Sequence, residues 1–459
     1  MWVNHRGNKI GYKTSSTWSL TLAVCTLPCL EDAHRNFIMV AIHSAVVALL
    51  PLIPSALGQT CTNIAPVNAA TFAPGYEGRV VVNGLKGPRG LIFDIQGNLL
   101  TSEQSAYGVR YIQLTDNGGT NICVKSQKQL IADSSLNHGI ALSANGKKLF
   151  ASSKSTVYSW DYDGSTGTVS NKKTVITGMS TSGHATRTLL VPKSQPNILL
   201  VQVGSNGNLD TGAAQPSSGR SQIRIFKLAD IDAGPKAYTT GEILGYGIRN
   251  NVGIAEDPHG GIFSVNNGMD DMTVSGKDVH NTNPCEELNY HGRINDTSSA
   301  ERGKSYGYPT CHSIFDPSVL PSPFNTQFKV GDTITNGASS AACTRVAPKL
   351  CFPAHTAPLD LKFNAAGSAA YVTFHGSWNR NPPDGYRLSR VAWNPQTGQP
   401  VANVTSGAGA AENIMVNANN NAGCPNRCFR PAGLAWSPSG KLFLSSDTTN
   451  EIWVIGGAN

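Results

Sequence analysis

The chain has 459 residues, a formal charge of +7, 14% charged residues, 47 glycines and 26 prolines. No long lysine or arginine run accompanies that charge, which argues against a nucleic-acid partner. So low a charged fraction is unusual for a helical enzyme and suits a dense, turn-rich β protein, which at this length can be one closed domain.

At the N-terminus, Met39–Gly58 (MVAIHSAVVALLPLIPSALG) is an apolar run ending in Ala56-Leu57-Gly58, the small-x-small pattern of a signal-peptide cleavage site. Pro51, Pro54 and His43 make it a poor membrane span. Translation is therefore expected to start at Met39, with residues 1–38 a non-native or unstructured extension, 39–58 a signal peptide, and 59–459 secreted without stable membrane association. Of the 10 cysteines, Cys25 and Cys29 fall in the removed part, which leaves eight. An even number suits disulfides in a secreted chain. Short spacing predicts the local bridges Cys343–Cys351 and Cys424–Cys428, while Cys61, Cys123, Cys285 and Cys311 could pair in three ways. The C-x₃-C at 424–428 also resembles a zinc knuckle, but no second close pair with histidines accompanies it. Sequons at Asn295 and Asn403 fit a glycosylated extracellular protein.

From Arg89 onward one phrase recurs six times: an apolar strand, a tight turn with Gly or Pro, and a second strand. The copies span Arg89–Gln104, His138–Ser153, Arg187–Ser205, Val252–Gly268, Leu359–Trp378 and Ala432–Asp447. Each reads as a β-hairpin, and repetition at intervals of roughly 50 residues or more predicts an all-β, six-bladed propeller. The longer intervals contain insertions at Asn206–Lys227, Asp270–Leu350 and Asn394–Arg430; the part from 270 to 312 is expected to cover one face. The strand in Glu451–Gly457 is expected to close the ring with Gly78–Leu85.

In a propeller, loops from every blade converge at one mouth, so polar residues at equivalent points of the repeats are the candidates. Arg89, His138, Arg249-Asn250 and Arg430 stand at the start of four copies. His184 and Arg187 open the third, His355 precedes the fifth, and His375, Trp378 and Arg380 follow its second strand. Several guanidinium forks suit a planar poly-anion, and a tryptophan offers a stacking face. A histidine among arginines is disfavoured as a cation, and kept neutral it can serve as a general base. A lone arginine at a blade corner could equally tie loops together.

The segment GIRNNVGIAEDPHGGIFSVNNGMDD, with NPCEELN and GKSYGYPTC after it, resembles the glucose/sorbosone dehydrogenase family of quinoproteins. PAHTAPLDLKF and YVTFHGSWNR are most similar to its fungal secreted branch, the pyranose dehydrogenases. The resemblance implies a six-bladed propeller that binds pyrroloquinoline quinone and Ca²⁺ and oxidises the anomeric carbon of aldoses, pyranoses or osones. It implies that His138 is the catalytic base and that Arg249, Asn250, Arg89 and Arg430 contact the quinone. His375, Trp378 and Arg380 fall over the cofactor plane, and the carbonyls of Gly268 and Met269 hold the calcium, with Asp270 and Asp271 nearby. One departure stands out. Relatives of the bacterial soluble type place Gly-Asp after the histidine-bearing hairpin to orient the histidine, whereas this chain has Ser152-Ser153-Lys154. The electron acceptor is expected to be extracellular: a separate haem protein, a quinone or a copper oxygenase. The competing readings are a calcium-dependent lactonase-like propeller, which needs a ring of acidic and amide side chains, and a non-catalytic glycan-binding propeller, which needs equivalent sites in every blade.

Overall fold

The computed structural model describes residues 61–335 and 343–459, so the expected extension and signal peptide lie outside the described residues. All six phrases fold as antiparallel hairpins. Each hairpin begins one sheet of at least four strands, and these sheets are blades 1 to 6 in chain order. Their first strands are Pro88–Phe93, Leu136–Leu142, Leu189–Leu190, Asn250–Glu256, Pro358–Phe363 and Pro431–Trp436. These strands pack side by side around the axis. The expected closure forms: Glu77–Val82 pairs antiparallel with Glu451–Gly456 and completes blade 6. A further early strand, Ala70–Phe72, pairs with Glu412–Asn417 at the outer edge of blade 5.

Six apolar clusters, one between each pair of neighbouring blades, take the place of one central core. Alternation along the strand makes this possible, because successive side chains point to opposite faces. Leu99 packs between blades 6 and 1, and Leu100 between blades 1 and 2. Burying one such side chain contributes about 1.5–3 kcal/mol.

Polar contacts set the spacing of the blades nearest the axis. Ser102 Oγ of blade 1 donates to the carbonyl of His138 (2.7 Å), and Ser152 Oγ of blade 2 to that of Arg187 (2.8 Å). Ser445 Oγ of blade 6 closes the circle on the carbonyl of Arg89 (2.7 Å). Glycine is required beside these contacts. A Cβ at Gly90 would lie 2.3 Å from the His138 carbonyl oxygen, and one at Gly139 would lie 1.9 Å from that of Arg187. The recurring Gly after the polar residue therefore lets the next blade's backbone approach.

Two expectations need correction. The long intervals are not wholly insertions: Gln222–Lys227, Glu286–Arg293 and Glu412–Asn417 are paired strands within blades 3, 4 and 5. The 270–335 segment adds a small apolar cluster of its own around Met269, Met272 and Ile314. The bridges are Cys61–Cys123, Cys285–Cys351, Cys311–Cys343 and Cys424–Cys428, so Cys343–Cys351 does not form. Cys351 sits on the short strand Leu350–Phe352, which pairs with Glu286–Leu288 and so lies next to Cys285. Cys343 is left to bridge within the insertion. Cys424 and Cys428 are bonded to each other, which removes the zinc reading.

Candidate active site

The two strands of a hairpin run antiparallel, so the start of the first and the end of the second lie together, opposite the turn. All six blades present these ends to one mouth. Arg89, His138, Arg249, Asn250 and Arg430 arrive there from strand starts, and His375 from a strand end. Asp447, at the end of the second strand of blade 6, joins them.

On the side formed by blades 5, 6, 1 and 2 the bonds form a chain. His375 Nε2 lies 2.9 Å from Asp447 Oδ1, Arg89 Nη1 lies 2.7 Å from Asp447 Oδ2, and Arg89 Nε lies 3.4 Å from His138 Nδ1. Burial pushes the Asp447 carboxyl up, but the His375 imidazole and the Arg89 guanidinium outweigh it and hold the group well below the usual carboxylate range. His138 is held well below the usual imidazole range, first by burial and then by the charges of Arg89 and Lys362. It is neutral at physiological pH. A guanidinium N–H can donate only to a bare nitrogen, so Nδ1 is the unprotonated atom. Arg430 braces this side from behind, with Nε donating to the His375 carbonyl (3.0 Å) and Nη2 to that of Gly376 (2.9 Å). Asp447, from blade 6, reaches His138 through Arg89. Sequence reasoning missed Asp447, although it closes the sixth phrase.

On the side formed by blades 3 and 4 the centre is the turn after Asn267. Gly268 N–H donates to Glu286 Oε2 (2.8 Å), and Arg249 Nη1 donates to the Gly268 carbonyl (2.7 Å). Arg249 Nη2 lies 2.6 Å from Asp270 Oδ2. Met269 buries its side chain in the cluster of the insertion, which anchors the turn. Burial raises the Glu286 carboxyl to about 8. Glu286 lies in the NPCEELN motif and Asn208, which contacts both Arg249 and Asp270, in the first insertion; neither was singled out as a site residue.

The remaining candidates divide. Arg187 is fully buried, and its donors end on the carbonyls of Lys154, His184, Thr186 and Ser180, so it ties loops together. His184 Nδ1 contacts Ser205 Oγ (2.9 Å). His355 Nε2 contacts the His280 carbonyl (2.6 Å), and Arg380 Nη1 donates to the Ala354 carbonyl (3.1 Å). Trp378 is 71% exposed. Its loop is pinned to the blade 4 insertion, since Asn379 Nδ2 donates to Asp271 Oδ1 (2.7 Å) and Asn281 Nδ2 to the Asn381 carbonyl (2.8 Å).

The mouth fits a polar, planar, anionic guest. The contacts of Arg89 leave its Nη2 outside, and those of Arg430 leave Nη1 outside. Among the described residues no group of three or more His, Cys, Asp or Glu side chains could hold a metal, and at the turn after Asn267 the Gly268 carbonyl and the Asp270 carboxylate both meet Arg249. That geometry lacks the acidic ring a lactonase-like propeller needs, and the unequal blades do not supply six equivalent glycan sites.

Comparison with known proteins agrees with the geometry. The chain is 41% identical over 428 residues to a pyrroloquinoline quinone-dependent sugar dehydrogenase of Hypocrea jecorina, covering 90% of this chain and 96% of that one. It is 38% identical over 403 residues to a pyrroloquinoline quinone-dependent pyranose dehydrogenase of Coprinopsis cinerea, covering 83% of this chain but only 54% of that longer protein. Among solved structures, a calcium structure of a Trichoderma reesei family AA12 enzyme superposes with a TM-score of 0.82 at 40% identity, covering 86% of this chain and 99% of the other. The holo form of the quinone domain of the Coprinopsis cinerea pyranose dehydrogenase gives 0.79 at 37% identity, covering 86% and 98%. The family's sequence model matches residues 70–458, and the chain belongs to the TrAA12-like family.

Proposed function

We propose that this protein is a secreted quinoprotein that oxidises sugars at the anomeric carbon, using pyrroloquinoline quinone and calcium. The observation that carries the reading is the neutral His138 at the end of the Asp447–Arg89 chain, at a mouth where Arg89 Nη2 and Arg430 Nη1 stay outside the internal contacts. Secretion is supported by the disulfides; among the described residues no helix is long and apolar enough to cross a membrane.

Arg249, Asn250, Arg89 and Arg430 would hold the quinone, with His375, Trp378 and Arg380 around it, and the Gly268 and Met269 carbonyls would hold the calcium. When bound, the quinone supplies a hydride acceptor and the calcium a Lewis acid for hard oxygen ligands. The protein's own part is to position the sugar and to move a proton. Oxidation takes a hydride from C1 and a proton from its hydroxyl, and it leaves a lactone. His138 Nδ1 is bare, and its 3.4 Å contact with Arg89 is long enough to yield to a substrate hydroxyl. The proton therefore passes to Nδ1. The imidazolium that forms is adverse beside Arg89, and the Asp447 carboxylate behind that guanidinium offsets part of the cost. The acceptor that reoxidises the enzyme is extracellular in this reading.

Reconstitution tests the proposal. Protein loaded with the quinone and calcium is expected to show the cofactor's absorption and sugar-dependent reduction of a dye. His138→Ala should keep the absorption and lose about 10²–10⁴ in turnover, the range for a positioned base. No cofactor spectrum, or undiminished turnover in the variant, would overturn it.

A further inference from the structure

Arg249 has a second job at this mouth. All of its bonds go to one small region: Nη1 to the Gly268 carbonyl (2.7 Å), Nη2 to Asp270 Oδ2 (2.6 Å) and Asn208 Oδ1 (3.1 Å), and Nε to the Asn208 carbonyl (3.2 Å). Its side chain is 5% exposed and that of Asp270 13%, so the pair is largely dry. Asn208 completes the clasp, because its Nδ2 donates to the Asp270 carbonyl (2.8 Å) and its Oδ1 accepts from Asp270 N–H (2.7 Å). A guanidinium is thus seated on a carbonyl oxygen and a carboxylate at the turn that, on the function proposed above, takes calcium.

A calcium ion binds such oxygens at about 2.3–2.6 Å. With a guanidinium nitrogen 2.7 Å from the Gly268 carbonyl oxygen, a calcium ion on the other lone pair would stand only about 4–5 Å from it, and two positive charges that close in a largely dry site repel strongly. The clasp also engages four of the five N–H donors, so Arg249 in this position keeps a single Nη1 N–H and no two-pronged edge for an anionic ligand. From these two facts we infer that Arg249 is a resident cation: it neutralises the Gly268–Asp270 turn while no metal is there, and it must leave the Gly268 carbonyl when calcium arrives. Its departure frees the fork for the anionic cofactor. Calcium and cofactor then bind with positive coupling through one side chain, and linkage makes that coupling reciprocal. Arg249 acts here as an exchangeable ion pair rather than as a fixed contact.

The test needs no turnover. Calcium binding to the quinone-free protein is measured by titration calorimetry for wild type, Arg249→Met and Asn208→Ala. Removing the competing charge should tighten calcium binding on the order of tenfold, within the usual range of coupling between sites. Asn208→Ala loosens the clasp and keeps the charge, so it should tighten binding by less. Adding the quinone should tighten calcium in wild type and do so much less in Arg249→Met. If Arg249→Met does not fold, the Asn208→Ala result and the quinone dependence in wild type decide. Equal or weaker calcium binding in the variants overturns the exchange, and sugar-dependent dye reduction by loaded wild type would leave the functional reading standing. If calcium binds none of the proteins, with or without quinone, both fall.

Discussion

Arg89 and Arg187 occupy the same point of the repeat, the start of the first strand in blades 1 and 3, and both are buried. They do different work. Arg187 spends its donors on four backbone carbonyls, and burial lowers it only to about 10, so it remains a charged structural tie. Arg89 faces a carboxylate and an imidazole and keeps one nitrogen outside both contacts. Residue type and register are identical, so what faces the guanidinium decides the role. A carbonyl is a fixed neutral acceptor, whereas Asp447 and His138 are groups whose charge matters to a reaction.

Exchanging each arginine for lysine sharpens the contrast. Lysine keeps the charge and loses the fork. Arg187→Lys should leave carbonyls unsatisfied at about 1–3 kcal/mol each, giving a loss of several kcal/mol in chemical unfolding with unchanged kcat in the folded fraction. Arg89→Lys should cost less stability and lower both quinone affinity and kcat. If Arg187→Lys proved the kinetic variant and Arg89→Lys the unstable one, the assignment would be reversed.

Asp447→Asn probes the chain behind Arg89. The charges facing His138 are Arg89, Lys362 and Asp447, and only the last is negative. A base is idle when protonated, so activity falls off on the acid side at the pKa of His138. Burial and the two cations place that limb below the ordinary imidazole value of 6.5. Removing the carboxylate makes the imidazolium still less favourable, so the limb should move to lower pH. The plateau should also drop, by at most about tenfold per pKa unit of basicity lost, because the transition state feels only part of a weaker base. A purely structural Asp447 would leave the limb in place, and a rise of the limb would contradict the arrangement.

Much of this was legible in the sequence because the repeat fixes geometry. Six phrases meant six blades, and the ring closed where Glu451–Gly457 and Gly78–Leu85 had pointed. The candidate arginines and His138 reach one mouth because strand starts share an end. Asp447 escaped notice because strand ends were read only in the fifth copy, yet hairpin antiparallelism puts the end of every second strand at the same mouth. Asking that question of every copy singles out Glu103, Asn267, His375 and Asp447, each at the end of a second strand. The bridge of Cys343 was beyond reach for a different reason: spacing along the chain says little when an inserted segment folds back over blade 4. Arg187 could not be told from Arg89, since carbonyl partners leave no mark in a sequence.

The smallest expected effect concerns Trp378, the site candidate held least by contacts of its own side chain. An indole 71% exposed gains little from burial, so Trp378→Ala should change stability by less than about 0.5 kcal/mol. Its loop is nonetheless held on both sides of the indole, by the Ser377 N–H on the Asp384 carbonyl and by Asn379 on Asp271. A ring presented in this way costs little further entropy when it stacks on a flat ligand, and stacking of this kind is worth about 0.5–1.5 kcal/mol beyond burial. Quinone affinity, read by fluorescence titration, should therefore weaken about three- to tenfold in Trp378→Ala while kcat at saturation holds. If affinity stays the same and the KM for sugar rises instead, the indole belongs to the substrate and the fifth blade contributes to sugar recognition rather than to the cofactor plane.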